Sequence, residues 1–524
     1  MLKHKIDNKL NRLNQKYPDS NKKVQIKLIA WLVKELFFSW KVNLFENEKK
    51  EIVTQENLIN KSNGAEINVF IHLCGGVGDI VMGGAFVQAL HKFIGTRNHF
   101  WISSDQSREA MEGIFRGHRY IKGKYELRKI DIDKISQTCD VRIDLVRFPK
   151  VVFWNTEKIK KLSPKFFSLL QKYQEFGKKY FNFSGSEIEP LRNIYSLNNG
   201  HTRRTQADLF HLLEMTESSN IFMDLDEKSL PLFKNYAIKL GQYITLQSGV
   251  DANYKGKRNI RIWPRPYYNS LIKLIKSEFP NIQIIQLGKL DEKSTLQGID
   301  IDLRGKTNFE ELKSVLKFSL LHIDGECGMV HLKHALYGKS AVFFAQTSVD
   351  FCGYPENINV KAEGACNHWC EWVTPDWMEK CCRGFKNPPC MYLLTPERFM
   401  NEIREYLKSP NHPTLIKTTA SIQGDRVINF TSDKNINCSI SLINRIEATE
   451  DNSSLKYGSI LNIPYLDGSL DGIVYDSGAI SESCQSFVLQ EFLRVLRNNG
   501  IVRDVRTGIN MKKVFKDQYV EKIL

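Results

Sequence analysis

The chain has 524 residues, 42% of them hydrophobic and 11% aromatic, which is enough for the cores of two or three domains and excludes a disordered chain. A formal charge of +15 favours an anionic partner, without by itself choosing among nucleic acid, an acidic membrane surface and phosphorylated substrates. The start, Met1 to Ser20, has no apolar run of the secretory kind, so a cytoplasmic location is expected, where 11 cysteines stay reduced and a cluster of them reads as a metal site.

Residues 1–65 form a basic helical extension, with ten Lys/Arg against three Asp/Glu in residues 1–45. Ile26, Ile29, Leu32, Val33, Leu36, Phe37 and Trp40 recur there at helical spacing, which suits a helix packed on the body or lying peripherally on the inner membrane. Val24 to Phe45 does not read as a membrane span, because Lys27, Lys34, Glu35 and Lys41 interrupt it. Residues 66–235 open with an apolar strand from Ile67 to Leu73, a glycine-rich turn, a helix from about Val81 to Phe93 and a strand from His99 to Ser103. This is the start of an α/β domain. Residues 158–182 have a helical pattern with no assigned role. Residues 236–424 restart the alternation, with strands at Tyr243–Leu246, Ile282–Leu287, Leu320–Ile323 and Ala341–Phe344 separated by helices, the signature of a parallel doubly wound sheet. A cysteine-rich insertion occupies 366–390, and residues 425–524 restart once more as a small α/β domain.

Two strand-to-helix turns carry the chemistry. The first runs Leu73-Cys-Gly75-Gly76-Val-Gly78-Asp79, where glycines let backbone approach a ligand and the helix start favours anions. It matches a dinucleotide fingerprint only in part, since Val81 stands at the third glycine position. Asp79 reads equally as a helix cap or as a general base at the mouth of a cleft. The second turn runs Ile323-Asp324-Gly-Glu326-Cys327-Gly328, with His331 one turn into the helix. Ser248 follows a strand, Arg261 sits in a basic loop with Lys255, Lys257 and Arg258, and Glu292 follows the strand at 282–287. Cys366, Cys370, Cys381, Cys382 and Cys390 are dense enough for four thiolates to hold one tetrahedral zinc or iron with every position filled, so a structural metal is expected, with reduced buried thiols as the alternative.

The run Gly78 to Leu90 resembles the N-terminal motif of the heptosyltransferases, the family 9 glycosyltransferases. Ile299 to Leu312 is similar to a second family passage, and Arg261-Ile-Trp263-Pro264 resembles the family's Lys-x-Trp-Pro. Glu326 and Cys327 take the places of an aspartate and a Ser/Thr, while Gly328 and His331 match outright. The resemblance covers residues 66–408. It implies two facing Rossmann-like domains of GT-B type, an acceptor domain at 66–235 and a nucleotide-sugar domain at 236–424. It further implies Asp79 as catalytic base, with Gly78, Ser248, Arg261, Glu292, Glu326, Cys327, Gly328 and His331 around the donor. The reaction implied is an inverting, metal-independent transfer from a nucleotide-sugar donor, ADP-heptose in the family. The acceptor is a hydroxyl on lipopolysaccharide, capsule or protein, and nucleic acid is no partner. The autotransporter branch of the family carries a four-cysteine iron site where this chain has its insertion.

Gly458 to Val474 and Phe487 to Ile501 look like parts of an S-adenosylmethionine-dependent methyltransferase. Val427 to Lys434 lacks the Gly-x-Gly that lets backbone approach that cofactor, so the tail is expected to be a non-catalytic relic. A methyltransferase with a carbohydrate-binding front half and a non-enzymatic scaffold are the alternatives.

Overall fold

A computed structural model describes residues 64–126, 132–180, 188–248, 260–290, 295–362, 370, 379–408, 414–418, 427–430, 440–441, 461–463, 467–477, 480 and 482–514. Residues 1–63 of the basic extension with its amphipathic run, Glu292, and Cys366 lie outside the described residues.

The first sheet is built on β1 (Ile67–Leu73), every residue of which is buried, as a central parallel strand covered on both faces requires. Helix α1 (Val77–Ile94) follows it. β2 (Asn98–Ser104), β3 (Ile121–Glu126), β4 (Val141–Val146) and β5 (Phe148–Trp154) complete the order β3-β2-β1-β4-β5. All pairs are parallel except β4 with β5, a hairpin at the edge. The region at 158–182 folds as helices Thr156–Leu162 and Pro164–Tyr180, which bury Ile159, Phe166, Leu169, Leu170 and Tyr173 against the first half.

The second sheet contains β6 (Tyr243–Gln247), β7 (Gln283–Leu287), β8 (Ile301–Asp302), β9 (His322–Gly325), β10 (Ser340–Phe344) and β11 (Ile358–Lys361). Its order is β11-β10-β9-β6-β7-β8 and every pair is parallel. Helix α2 (Phe309–Phe318) precedes β9 and α3 (Gly328–Ala335) follows it. The chain reverses its winding between β1 and β4 in one sheet and between β6 and β9 in the other. Ligands of such sheets bind outside the strand ends at those reversals. α1 and α3 begin there, one from each half, which is the expected pair of facing Rossmann-like domains.

The third sheet joins β12 (Thr414–Thr418), β13 (Val427–Phe430), β14 (Ile440–Ser441), β15 (Leu470–Tyr475), β16 (Leu496–Asp504) and β17 (Asn510–Val514) in the order β12-β17-β16-β15-β13-β14. β12 pairs with β17, so this sheet begins ahead of the boundary expected at residue 425. Helix α4 (Gln485–Val495) fastens the tail to both halves. Phe487 stacks edge-on against Phe233 and Phe318 with ring centroids 5.0 and 4.9 Å away. Beside them Lys317 Nζ meets Glu491 Oε2 at 2.9 Å and Asn462 Oδ1 at 2.7 Å. No helix among the described residues is long and apolar enough to cross a membrane.

Candidate active site at the meeting of two helix starts

Gly75 opens the turn after β1 with φ +115, and a Cβ there would lie 2.4 Å from Asp79 Oδ2. The bare turn lets Asp79 fold back, and its Oδ2 accepts the Gly76 N–H at 2.9 Å, capping the start of α1. The capping role is therefore real, and it uses one oxygen. The other, Oδ1, accepts from Arg203 Nη2 at 2.9 Å. Burial pushes the Asp79 carboxyl up, but the charges of Arg203 and Arg147, with the hydrogen bonds from Arg203 and Gly76, outweigh it and hold the carboxyl below its usual range. Asp79 is thus ionised, with 30% of its side chain exposed.

Gly78 touches the other half directly. A Cβ at Gly78 would lie 2.4 Å from His331 Cδ2 and 3.2 Å from Gly328 Cα. The first turns of α1 and α3 abut at this point. Gly78 and His331 are therefore neighbours across the seam, with Asp79 next in the chain.

In the second half, Glu326 gathers the expected donor-site residues. Arg261 Nη2 donates to Glu326 Oε2 at 2.8 Å and to its carbonyl at 2.6 Å. His331 Nε2 lies 3.4 Å from Glu326 Oε1, and His331 Nδ1 lies 2.6 Å from the Tyr354 hydroxyl. Burial raises the Tyr354 phenol, so it stays protonated beside Nδ1, and Glu326, a carboxylate, can only accept on the Nε2 side. Burial alone would raise the Glu326 carboxyl, yet the His331 bond and the charges of Arg203 and Arg261 hold it far below its usual range.

Cys327 sits at the cap position of α3, but its thiol is spent on Asp324 Oδ2 at 2.7 Å. Burial and the Asp324 charge push that thiol well up, so it stays neutral. Asp324 also takes the Gly325 N–H at 2.7 Å and faces His322 at 3.3 Å, which turns it into the sheet. Ser248, just past β6, is buried and accepts from Gln286 Nε2 at 3.1 Å. The structure therefore brings Gly78, Asp79, Arg261, Glu326, Gly328 and His331 together and turns the Cys327 sulfur away from them.

Arg203 and Tyr354 were not picked out from the sequence. Arg203 N donates to Phe351 O at 3.0 Å, Arg204 Nη1 donates to Cys352 O at 3.1 Å, and the Arg204 guanidinium lies over the Tyr354 ring at 4.4 Å. The segment carrying both arginines is a strap from the first half fastened to the second. The only hint in the chain is the Arg203-Arg204 doublet, which has no periodic context.

In the insertion, the Cys370 thiol donates to Cys382 Sγ at 3.1 Å, and Cys390 is close enough to act on it electrostatically. Burial and then the Cys382 contact push the Cys370 thiol up to about 12. Among the described residues no group of three or more His, Cys, Asp or Glu is arranged to hold a metal ion. Three of the expected thiols thus lie near one another, while Cys366 lies outside the described residues and Cys381 occupies an adjoining turn.

No protein-family model matches the chain. No curated protein matches it either. Among solved structures it is similar to a glycosyl transferase family 9 protein from Veillonella parvula, with TM-score 0.45 and 10% identity over 65% of this chain and 97% of that one. It is similar to the ADP-heptose lps heptosyltransferase II of E. coli, with TM-score 0.41 and 11% identity over 65% of this chain and 99% of that one. It is also similar to TibC, an iron-containing dodecameric glycosyltransferase of enterotoxigenic E. coli H10407, with TM-score 0.43 and 12% identity over 66% of this chain and 76% of that one.

Proposed function

We propose that the chain is an inverting glycosyltransferase that moves a sugar, heptose in the first instance, from a nucleoside diphosphate to a hydroxyl of a glycan, lipid or protein. The observation that carries this reading is the convergence of Asp79 with the Arg261–Glu326–His331 cluster at two abutting helix starts, each following a strand at which its sheet reverses. Asp79 is ionised and takes the acceptor proton. Arg261 and the start of α3 stabilise the departing diphosphate, where most negative charge develops. Glu326 and His331, fixed by Tyr354, orient the donor. Ser248 lies at the neighbouring strand end, and Gly78 and Gly328 allow the close approach. The excess of basic residues suits an acceptor that is phosphorylated or held at an acidic membrane surface.

The experiment is incubation with a panel of sugar nucleotides, following slow hydrolysis or transfer. Asp79→Asn is expected to lower turnover by roughly a hundredfold or more while nucleotide binding persists. Wild-type turnover in that variant would remove Asp79 as the base.

The cysteine insertion fits a structural zinc or iron held by Cys370, Cys382 and Cys390 with Cys366 as fourth ligand, leaving Cys381 spare. The adjacent thiols of Cys370 and Cys382 support this set. Elemental analysis of the purified chain is expected to find one zinc or iron per chain, lost in Cys370→Ser and kept in Cys381→Ser. A metal-free wild type refutes it.

The tail acts as a packing module. Its parallel strands β14, β13, β15 and β16 with antiparallel β17 suit the methyltransferase-like reading, and the absent Gly-x-Gly argues against catalysis. Calorimetric binding of S-adenosylmethionine would overturn that.

A further inference from the structure

Both oxygens of Asp79 are occupied, Oδ2 by the Gly76 N–H at 2.9 Å and Oδ1 by the Arg203 guanidinium at 2.9 Å. A carboxylate in this state is ionised and a weak base, because both oxygens accept hydrogen bonds and one of the donors is a cation. Asp79 becomes a stronger base once one of those donors leaves, and the Gly76 bond is part of the helix cap. The movable partner is Arg203.

Arg203 is also well placed to go elsewhere. Its charge acts on Glu326 of the second half as well as on Asp79 of the first. Its strap is anchored to the second half through Phe351 and Cys352, so the side chain can swing while its backbone stays. At the seam, the cations Arg147, Arg203 and Arg261 face the carboxylates of Asp79 and Glu326 beside two helix N-termini. Two helix N-termini favour an anion there, and a guanidinium pairs with phosphate oxygens at least as well as with a carboxylate.

We propose that Arg203 is a substrate-operated latch on the base. Resting on the glycosyl-transfer reading, the diphosphate of the arriving donor draws the guanidinium off Asp79 Oδ1 and keeps it. Oδ1 then accepts the proton of the acceptor hydroxyl. The acceptor oxygen bonds to the anomeric carbon, the bond from that carbon to the diphosphate oxygen breaks, and its electron pair stays on the diphosphate beside Arg203. The base is thus exposed only when a donor is present, which limits proton loss from acceptors or water in its absence.

The test measures the affinity of the full-length chain for ADP, UDP and GDP by calorimetry at one salt concentration, in wild type, Asp79→Asn, Arg203→Met, Arg203→Lys and the Asp79→Asn/Arg203→Met double variant. If the latch exists, Asp79→Asn releases Arg203 and binds the diphosphate about fivefold tighter. Arg203→Met binds it roughly ten- to hundredfold more weakly, and Arg203→Lys lies between. In the Arg203→Met background the gain from Asp79→Asn disappears. An unchanged or weaker affinity in Asp79→Asn overturns the latch, and so does a gain of equal size in both backgrounds, which would be plain charge repulsion. A wild type that binds none of the three diphosphates overturns both the latch and the transferase reading. Diphosphate binding without the coupling overturns the latch alone. Thermal melting of each variant establishes that it is folded, and Arg203→Lys keeps the cation should Arg203→Met melt early.

Discussion

Gly78 has no side chain because His331 and Gly328 stand where one would be, with His331 Cδ2 2.4 Å from the position of its Cβ. Gly78→Ala is expected to cost roughly 1–3 kcal/mol, because the seam must part or α3 must shift. Thermal melting would show the loss and calorimetry a weaker hold on nucleoside diphosphate. An unchanged melting temperature would mean that the two helix starts are not in contact in solution. Gly78, Asp79, Gly328 and His331 were legible in the sequence because each lies at a fixed offset from a strand end. Glu326 was legible for the same reason and Arg261 through the Trp263-Pro264 that follows it, though their mutual bond was not. Arg203 and Tyr354 were not legible, since they come from irregular segments and acquire their roles only when one half folds against the other. Cys327 misled: its position fits a donor contact, but its thiol finds Asp324 first.

At the scale of elements, the strand-turn-helix units read cleanly because apolar runs bounded by glycine have few other interpretations. The order of strands did not, because most pairing partners lie far apart in sequence, and neither did the edge hairpin β4–β5, whose strands run on with only Arg147 between them. β12 likewise joins the third sheet only by pairing with β17, which follows it much later in the chain. One helix contact has a cost attached. Lys333 is buried on α3, and its ammonium donates to the carbonyls of Leu316 at 2.5 Å and Ser319 at 2.7 Å, closing the C-terminal end of α2. Lys333→Met keeps the stem and strips the donors, leaving buried carbonyls without that partner. The expected loss is about 1–3 kcal/mol, read as a lower urea midpoint. A midpoint equal to wild type would mean that water replaces the ammonium at no cost.

The whole molecule should weaken in mild acid. His118 is buried with Nε2 on Phe222 O at 2.7 Å, and burial holds its ring down to about 4; burial and the charge of Arg204 hold His334 down to about 3. Unfolded, both rings take a proton near pH 6.5. Between that pH and about 4 the unfolded chain binds protons that the folded chain refuses, so stability is full above 6.5 and falls as pH drops through this window. His118 alone accounts for up to roughly 3 kcal/mol by pH 4. Urea unfolding at pH 7 and pH 5 should show the fall, and His118→Gln should flatten part of it; equal midpoints at the two pH values would remove the argument. The same scale joins site and tail. α3 has eight residues, about 12 Å of helix, with Gly328 and His331 at one end and Lys333 at the other, next to the Lys317–Glu491 contact. So short a rod cannot tilt at its far end and stay still at its near one. On the transferase reading, whatever loosens the tail from its seat will therefore be felt as a blunted grip on the nucleotide, and the tail would be inherited or lost together with the activity it steadies.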